Sequence, residues 1–564
     1  MLLVPLAFGV SCGLHAQTTP SQRAEQLRQL DQQTNISRDR VPGAPLPVPG
    51  LDLRILTPEK SIVPKAVDEL EFEVTRVEVE GATYFSRAVV DALLAPLLNR
   101  KIGLTALREA ANMLENLYRE RGMFLARVFI PPQQLQQGVF TIRVVEGHID
   151  QVLVEAPDAA MGGRVDTFAR QLVGVRPLDL ANLERVLLLL NDLPGVTATA
   201  VLRPGAELGS SQLLITVVPA GNLYMGTFNN TGSNTTGPYA LSYNATLQQP
   251  FGSPGQLTVG VTAGGTAAND FSGIRSLVTR YAQAVGNHGA IVSFGGVLSQ
   301  SHPSGAVSSL DIQSDAVSIS PRLRYPLLRS RSSSLYLDTG LALNRSQTTS
   351  AGTPLTSDRA TVADLAATWV LSGWGGGSQT LGLGVFKGLK WFGAMDKDAP
   401  LPSATGFEPT FTKYTLNFQR TQGLPQSFSL RFNLNGQYTR DKLLAGEQLS
   451  FGGSTIGRGF IPSAIVGDQG LGAILELRYD LKPYPAAAIG DAQVYLSVDR
   501  ASTRTVPVSG NASTRSHLSS TALGVRLSVN KNVQLDLRFA KANQDIADEQ
   551  RLERGLLLET LVRF

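Results

Sequence analysis

The residues best suited to chemistry lie in a glycine-rich segment, "FGGSTIGRGFIPSAIVGDQG", from Phe451 to Gly470. It contains a single cation, Arg458, which stands between two glycines. Glycine lets a backbone pack closely or adopt positive φ, as an anchored loop requires. A partly buried pair between an arginine and a carboxylate is costly to break from one side. The segment therefore indicates an anchored loop, and the alternative is a flexible loop with a solvated Arg458.

Other chemistry has little support in the sequence. The five histidines, at positions 15, 148, 288, 302 and 517, are scattered, and no pair has metal-ligand spacing. There is no Gly-Lys dipeptide and hence no P-loop. The single cysteine, Cys12, excludes an intrachain disulfide and a thiolate metal cluster. We expect no catalytic residues, no metal site, no cofactor and no enzyme activity.

The glycine-rich segment is embedded in a long region of alternating residues, 221–564. In "GPYALSYNATLQ", Leu241 and Tyr243 face one way, and Ser242 and Asn244 face the other. Several such runs have about 9–11 residues, the length of a strand that crosses a bilayer at a tilt. The region predicts a transmembrane antiparallel β-barrel of about 16 strands, uncertain by one hairpin either way. The net charge of +4 over 564 residues is too small to indicate binding to nucleic acid.

Two small α/β modules are predicted before the barrel, at 72–147 and 148–220. Each has the order strand, helix, helix, strand, strand, and the first strand reads "FEVTRVEVEG". Asp179 is placed to cap the second helix of the second module. A repeated supersecondary unit indicates a tandem docking module. The alternative is a single α+β domain of about 150 residues.

The N-terminal region is predicted to carry three further segments. Residues 1–16 resemble a signal peptide with cleavage after Ala16, with a buried strand or a lipoprotein signal at Cys12 as alternatives. Residues 17–40 contain a polar helix, at 20–37, that belongs in a wet cavity or a frayed tail. Residues 41–71 form a proline-rich linker, whose first 24 residues could reach roughly 75 Å.

These parts, in this order, resemble the outer-membrane transporters of two-partner secretion, the ShlB/FhaC/HecB family of haemolysin secretion/activation proteins. The segment from Tyr118 to Ile149 resembles the family's first POTRA (polypeptide-transport-associated) domain, with its Arg-Gly, Pro-x-Gln and Val-Glu-Gly landmarks. "LLLNDLPGV" and "LRPG" resemble the second. "NNTGSNTTGPYALSYNATLQQPFG" resembles the opening barrel hairpin, and "YPLLRS" resembles a later strand end.

The resemblance also assigns a role to the glycine-rich segment. Gly457-Arg458-Gly459-Phe460 is similar to the family's Val-Arg-Gly-Tyr or Val-Arg-Gly-Phe motif, with glycine in place of valine. In the family this loop folds back into the barrel, where its arginine pairs with an acid of a Phe-x-Asp-x-Gly pattern on the inner wall.

The acid that the resemblance implies is Asp499. The pattern reads "SVDRA" here, with serine for phenylalanine and alanine for glycine. Strand alternation points Gln493, Tyr495, Ser497 and Asp499 into the lumen. Glu476 in "LGAILELRYD" also points inward, and is the second candidate partner of Arg458.

The resemblance implies a protein-conducting pore in the outer membrane of a Gram-negative bacterium, with POTRA domains in the periplasm. The POTRA domains would bind the N-terminal secretion domain of a β-helical exoprotein, which would thread unfolded past lumen arginines (Arg431, Arg478 and Arg538) without nucleotide hydrolysis. Residues 17–40 would plug the resting pore. Whether the chain also activates its cargo stays open.

Other partners follow from the barrel itself. The terminal aromatic Phe564, at the end of an alternating strand, resembles the signal that barrel-assembly machinery reads. That machinery, periplasmic chaperones and outer-membrane lipid are the further partners expected, and no nucleic acid is expected. The alternative functions are an outer-membrane protein insertase of the same superfamily, and a passive porin or adhesin.

Overall fold

A computed structural model describes residues 53–55, 71–134, 138–232, 236–252, 254–266, 271–303, 305–481, 490–508, 512–543, 552 and 555–564. The predicted signal peptide (1–16), plug segment (17–40) and most of the linker (41–71) lie outside these residues. No helix in this part of the chain is both long and apolar enough to cross a membrane.

The region before the barrel alternates strands and helices. In chain order its elements are β1 (Leu53–Ile55), β2 (Glu71–Val74), β3 (Arg76–Glu80), α1 (Arg87–Leu94), β4 (Arg100–Gly103), α2 (Leu104–Glu120), β5 (Arg127–Phe129), β6 (Val139–Val145), β7 (His148–Glu155), α3 (Ala159–Ala169), α4 (Leu180–Asn191), β8 (Val196–Pro204) and β9 (Ser210–Pro219). Short 3-10 turns at Ala95–Leu97 and Arg170–Leu172 extend α1 and α3.

The first α/β unit has a three-stranded sheet of order β3-β6-β5 and a separate pair, β2 with β4. The segment predicted as one strand is therefore two strands that join different sheets. The break falls at Thr75, where the amide N–H groups of Thr75 and Arg76 both donate to the Gly138 carbonyl. Leu114 and Tyr118 of α2 pack with Ile142 of β6 in the core of this unit.

The second unit has a four-stranded sheet of order β1-β8-β9-β7, covered by α3 and α4. Asp179 caps α4 as its position predicts, because its carboxylate accepts the Asn182 N–H at 2.8 Å. Helix α3 begins at Ala159, and Asp158 caps it by accepting the Met161 N–H. The edge of β8 is not open in this unit, since β1 of the predicted linker pairs with it in parallel.

The Val-Glu-Gly landmark holds the first unit together through Glu146. Its carboxylate accepts the Thr83 and Tyr84 N–H groups, each at 2.8 Å, the Tyr118 hydroxyl at 2.7 Å, and the Thr83 hydroxyl. Burial raises the pKa of the Glu146 carboxyl, but the hydrogen bonds from Thr83 and Tyr118 outweigh it and leave the pKa below its ordinary value. Glu146 thus fixes the start of α1 to α2.

This carboxylate should make the first unit sensitive to acid. A depressed folded-state pKa contributes stability above the unfolded value of about 4.3, and that stability is lost as the pH falls through the folded-state pKa. The protection factors of the Thr83 and Tyr84 amides in the full chain, which correct their exchange for the intrinsic rate at each pH, should therefore fall in acid. The Glu146→Gln variant should exchange these amides faster at neutral pH and lose most of the pH dependence. Equal exchange in the two proteins at neutral pH would contradict the assignment.

The rest of the chain forms a closed barrel of 16 antiparallel strands, which confirms the predicted fold. Its strands are β10 (Leu223–Asn229), β11 (Tyr239–Gln248), β12 (Gly255–Gly265), β13 (Ile274–Val285), β14 (Ala290–Ser301), β15 (Ile312–Arg329), β16 (Ser333–Ser350), β17 (Thr353–Ser372), β18 (Gly377–Leu389), β19 (Thr412–Gly423), β20 (Phe428–Thr439), β23 (Gln469–Leu481), β24 (Ala492–Arg504), β25 (Arg515–Ser528), β26 (Val533–Ala542) and β27 (Leu556–Arg563). Strands β21 (Leu449–Phe451) and β22 (Ile465–Gly467) pair with each other outside the barrel wall.

The barrel wall is apolar outside and polar inside. On β11, Leu241 is 48% exposed, whereas its neighbour Ser242 and also Asn244 are buried. On β26, Phe539 is exposed whereas Arg538 is buried. Because successive side chains of a strand point to opposite faces, the exposed apolar residues form the outer surface and the buried polar residues line the lumen.

The α/β units contact the barrel at the end that carries its short turns. The Arg329 guanidinium forms two hydrogen bonds with the Asp192 carboxylate, at 2.6 and 2.8 Å, and Gln171 donates to the Asn287 carbonyl. The "YPLLRS" segment contains the end of β15 and supplies Arg329 to this contact. The long connections lie at the opposite end, so short periplasmic turns and long extracellular loops have their usual arrangement.

Candidate functional site

The connection from β20 to β23, residues 440–468, turns back into the barrel. Its two arms pair as β21 and β22, and we call residues 452–464 between them the loop tip. Phe460 in the loop tip is fully buried, in a cluster with Ile474 of β23, Ala501 of β24 and Leu518 of β25. Apolar inward-facing residues would be costly in an open aqueous lumen, and here the loop tip covers them.

The Arg458 side chain reaches the inner wall. Its Nη1 atom lies 2.6 Å from Oε2 of Glu476 and donates to the Ser497 hydroxyl at 2.9 Å. The Arg458 and Glu476 side chains are only 10% and 2% exposed. The Nε–H donates to the Ser454 carbonyl, which ties the side chain to its own loop tip. The arrangement is a buried, hydrogen-bonded ion pair between the loop tip and the wall.

Asp499 holds the backbone of the loop tip and not the guanidinium. Its Oδ2 accepts the Arg458 amide N–H at 3.2 Å, and both its oxygens accept from the Ser520 hydroxyl at 2.8 Å. The same Ser520 hydroxyl oxygen accepts the Gly459 N–H at 3.0 Å. Two consecutive loop amides are therefore bound by β24 and β25.

The structure thus differs from the sequence-based order of partners, which put Asp499 first and Glu476 second for the arginine side chain. The reason is strand register. Asp499 lies opposite Ile474, and Ser497 lies opposite Glu476, one inward-facing row further along the barrel. That row is displaced by about 7 Å, which is close to the length of an arginine side chain. With its backbone beside Asp499, Arg458 extends its guanidinium to Glu476.

Glu476 serves more than one cation. Besides Arg458 at Oε2, Arg478 and Arg526 contact the other oxygen of Glu476, Oε1, at 2.6 and 2.9 Å. Arg526 also forms an ion pair with Asp536 at 3.0 Å. One carboxylate therefore joins three guanidinium groups.

Tyr495 closes this network. The Arg526 guanidinium carbon lies 4.0 Å from the centre of the Tyr495 ring, and the Tyr495 hydroxyl donates to Asp536 at 2.7 Å. Sequence reasoning placed Arg478 in the lumen but missed Arg526 and Asp536. Both are charged residues at inward positions of alternating strands, and this signal could have identified them.

The flanking glycines have different geometric roles. Gly457 has a φ of +94°, in the region that favours glycine. Gly459 packs against the wall, since a Cβ atom there would lie 2.6 Å from the Ala542 amide nitrogen. The glycines therefore let the loop tip lie flat on β25 and β26.

Adding a methyl group at Gly459 should displace the loop tip. The contact is with backbone, which cannot move aside as a flexible side chain can, so overpacking should cost about 1–3 kcal/mol. Gly446 lies in the same connection and has open space around its Cα, which makes Gly446→Ala the matched control. We expect Gly459→Ala to increase protease cleavage within 452–464 and Gly446→Ala to leave it unchanged. Equal protection of both variants would contradict the close packing.

A second contact holds the other side of this connection. A 3-10 turn, Ala445–Glu447, places the Glu447 carboxylate 2.9 Å from the Lys413 ammonium of β19, and Asn344 of β16 donates to it at 3.0 Å. Asp468, fully buried, accepts from the Lys442 ammonium at 3.0 Å and the Val506 N–H at 2.7 Å. The connection is therefore fixed to both sides of the barrel interior.

Phe564 lies beside the seam that closes the barrel. Its amide N–H donates to the Tyr224 carbonyl of β10 at 3.0 Å, and its ring is exposed. Strand β27, which it follows, pairs with β10.

The parts of the chain that the structure describes contain no group of three or more histidine, cysteine, aspartate or glutamate residues placed to hold a metal ion. The arrangement is that of an anchored loop in a lumen.

Comparison with known proteins agrees with this architecture. Residues 209–527 match the family model "Haemolysin secretion/activation protein ShlB/FhaC/HecB", and residues 72–147 match "POTRA domain, ShlB-type". The first match covers more than half of the chain.

Curated relatives and a solved structure extend the comparison. The heme/hemopexin transporter protein HuxB of Haemophilus influenzae (strain 86-028NP) is 23% identical over 416 residues, or 71% of each chain. The outer membrane transporter CdiB of Dickeya dadantii (strain 3937) is 25% identical over 443 residues, or 76% of this chain and 75% of the relative. The structure of CdiB from Escherichia coli has the same fold, with a TM-score of 0.73, 21% identity, and coverage of 96% of this chain and 98% of that one.

The chain has an ShlB-type POTRA domain, followed by a 16-stranded barrel that holds a loop inside it. The family model spans most of this barrel. The chain belongs to the ShlB/FhaC/HecB family of haemolysin secretion/activation proteins, the outer-membrane transporters of two-partner secretion.

Proposed function

We propose that this chain exports one partner exoprotein, which binds the POTRA domains in the periplasm and crosses the outer membrane unfolded through the barrel. The observation that carries the proposal is the ion pair between Arg458 and Glu476, because it holds a loop inside a lumen lined by polar groups. The ShlB-type POTRA domain before the barrel argues against a passive porin. The domain limits 72–147, 148–220 and 221–564 are part of this proposal.

Docking of the cargo would use strand edges of the POTRA region. The sheet of the first unit has β3 and β5 at its edges, where a cargo segment could add a strand by main-chain hydrogen bonds. Such recognition suits a β-helical exoprotein whose N-terminal secretion domain is rich in strand-forming sequence. Folding of the cargo outside the cell would bias its movement outward, so that the chain needs neither a cofactor nor nucleotide hydrolysis.

The direct test is secretion of a candidate β-helical exoprotein, to be sought in the neighbouring gene, expressed with and without this chain. We expect the exoprotein in the medium only when the chain is present, and otherwise in the periplasm. Levels of unrelated outer-membrane proteins should stay the same in both strains. If the strain without the chain has lower levels of unrelated outer-membrane proteins but still exports the exoprotein, the chain is instead an insertase. Assembly of the chain itself would depend on barrel-assembly machinery and periplasmic chaperones, which Phe564 and its strand would engage.

The polar segment at 17–40 is proposed to plug the resting pore. Deleting residues 18–40 should raise the single-channel conductance of the purified protein in planar bilayers, because a helix about 10–12 Å wide would leave the lumen. The variant Lys531→Gln, in the exposed turn between β25 and β26, serves as the control and should leave the conductance unchanged. Identical conductance of the 18–40 deletion and the full chain would contradict the plug.

A further inference from the structure

Five cationic or imidazole side chains lie together on the outer surface of β24, β25 and β26, near the end with the long connections. We call Arg500, Arg504, Arg515, His517 and Lys541 the rim patch; all five are exposed. Their sequence neighbours Asp499, Ala501, Thr503 and Leu518 are buried on the lumen side. The rim patch therefore faces the surroundings of the barrel and not the pore.

Strand register concentrates these charges. Arg504 of β24 lies directly opposite Arg515 of β25, and Arg500 lies on the same face of β24, four residues away. On β25, His517 and Thr521 have the same outward orientation, and Thr521 lies opposite Lys541 of β26. Like charges directly opposite each other on neighbouring strands destabilise a sheet unless a counter-charge is present.

The protein itself supplies no such counter-charge among the described residues. No carboxylate there lies within ion-pair distance of the four charged members of the rim patch, whereas many other arginines of the chain do have such partners. Arg504 has a neutral partner only, the Ser513 hydroxyl, at 2.8 Å. Among the described residues this face is therefore unbalanced, and an anion from outside the protein would balance it.

The surroundings specify which anion fits. Just beside the rim patch, toward the short-turn end, the same strands expose Val498, Leu523 and Phe539, each about half exposed. The patch therefore lies at the boundary between the apolar band and the long-connection end. The POTRA region contacts the opposite end, so this boundary belongs to the outer leaflet.

We propose that the rim patch is a binding site for the phosphate groups of a phosphorylated glycolipid of the outer leaflet. The arginine fork matches the geometry of a phosphate and binds it with two parallel hydrogen bonds. The acyl chains of the same lipid lie against Val498, Leu523 and Phe539. A lipid at this site also fixes the outer face of β24 and β25, whose inner faces hold the loop tip through Asp499 and Ser520.

The test titrates the detergent-solubilised full chain with bis-phosphorylated lipid A and counts bound molecules by native mass spectrometry. The variant Arg500→Gln/Arg504→Gln/Arg515→Gln/Lys541→Gln should bind lipid A at least about tenfold more weakly, since each removed cation weakens binding to an anionic lipid. The control Lys531→Gln removes an exposed cation from a turn at the periplasmic end and should bind like the unmodified chain. Heat-modifiable migration in gels confirms that each variant is a folded barrel.

Two further arms identify the ligand. Enzymatically dephosphorylated lipid A should bind about tenfold more weakly, and inorganic phosphate at millimolar concentration should not displace bound lipid A, because it lacks the apolar contacts. Equal binding of lipid A by the quadruple variant, equal binding of the dephosphorylated lipid, or full displacement by inorganic phosphate would each overturn the proposal.

Discussion

Replacing Arg458 by alanine should reduce export of the partner exoprotein by about tenfold or more while the barrel still assembles. The substitution removes the ion pair to Glu476 and the hydrogen bond to Ser497, which together bind the loop tip to the wall. A loss of roughly 1.4 kcal/mol already lowers the anchored population relative to the free one tenfold. Glu476 keeps Arg478 and Arg526, so no buried charge is left without a partner. Secretion is measured by immunoblotting of the medium, and assembly by heat-modifiable migration.

The matched control is Arg420→Ala. Arg420 is also a partly buried arginine of the barrel, but it contacts the neutral side chains of Gln379 and Gln422 on the wall and not the loop tip. Export should be close to normal in this variant. Normal export by Arg458→Ala, or an equal loss in both variants, would show that anchoring of the loop tip is not what export requires.

Replacing Glu476 by alanine should have the larger effect on stability. This carboxylate is the shared partner of Arg458, Arg478 and Arg526, and all three guanidinium groups would lose it at once. Breaking a buried ion pair from one side typically costs about 3–5 kcal/mol, because the remaining charge is buried and unpaired. We expect a lower midpoint of urea unfolding and a weaker barrel than in Arg458→Ala, although both changes break the same contact.

The control for Glu476→Ala is Asp338→Ala. Asp338 pairs with Arg324, whose side chain is about half exposed and can be solvated when the carboxylate is gone. Exposed pairs contribute about 0–1 kcal/mol, so the unfolding midpoint should change little. If Glu476→Ala and Arg458→Ala unfold at the same urea concentration, the claim that the shared carboxylate contributes more stability than one of its three arginine partners is wrong.

Much of the wall could be predicted from the sequence, since alternation depends only on neighbouring residues. Leu241 and Ser242 face the sides that their types indicate, and Glu476 and Asp499 both point inward. The choice between these two acids could not be predicted, because it depends on the register between β23 and β24. In the observed register Glu476 lies opposite Ser497, and a shift by one inward-facing row would place it opposite Asp499 instead. No local sequence pattern determines this register.

The return of the loop into the lumen depends on residues far apart in the chain. Ile474, Ala501 and Leu518 are apolar at inward positions where a water-filled barrel would have polar residues. These exceptions on three successive strands are a usable signal that something covers this part of the wall. The strand β1 within the linker and the break at Thr75 had no comparable signal, since β1 pairs with β8 and β3 pairs with β6, and both partners lie more than 60 residues away.

The central claim is that the loop tip lies inside the barrel and that Arg458 holds it there. It can be tested with a membrane-impermeant maleimide on intact cells, in a Cys12→Ser background that removes the only cysteine of the sequence. Ile456 is buried in the loop tip, whereas Ala512 is exposed in the connection between β24 and β25. We predict that Ala512→Cys is labelled, that Ile456→Cys is not, and that Ile456→Cys becomes labelled when Arg458→Ala is added. Labelling of Ile456→Cys as fast as Ala512→Cys with Arg458 intact would place the loop outside the pore and contradict the account.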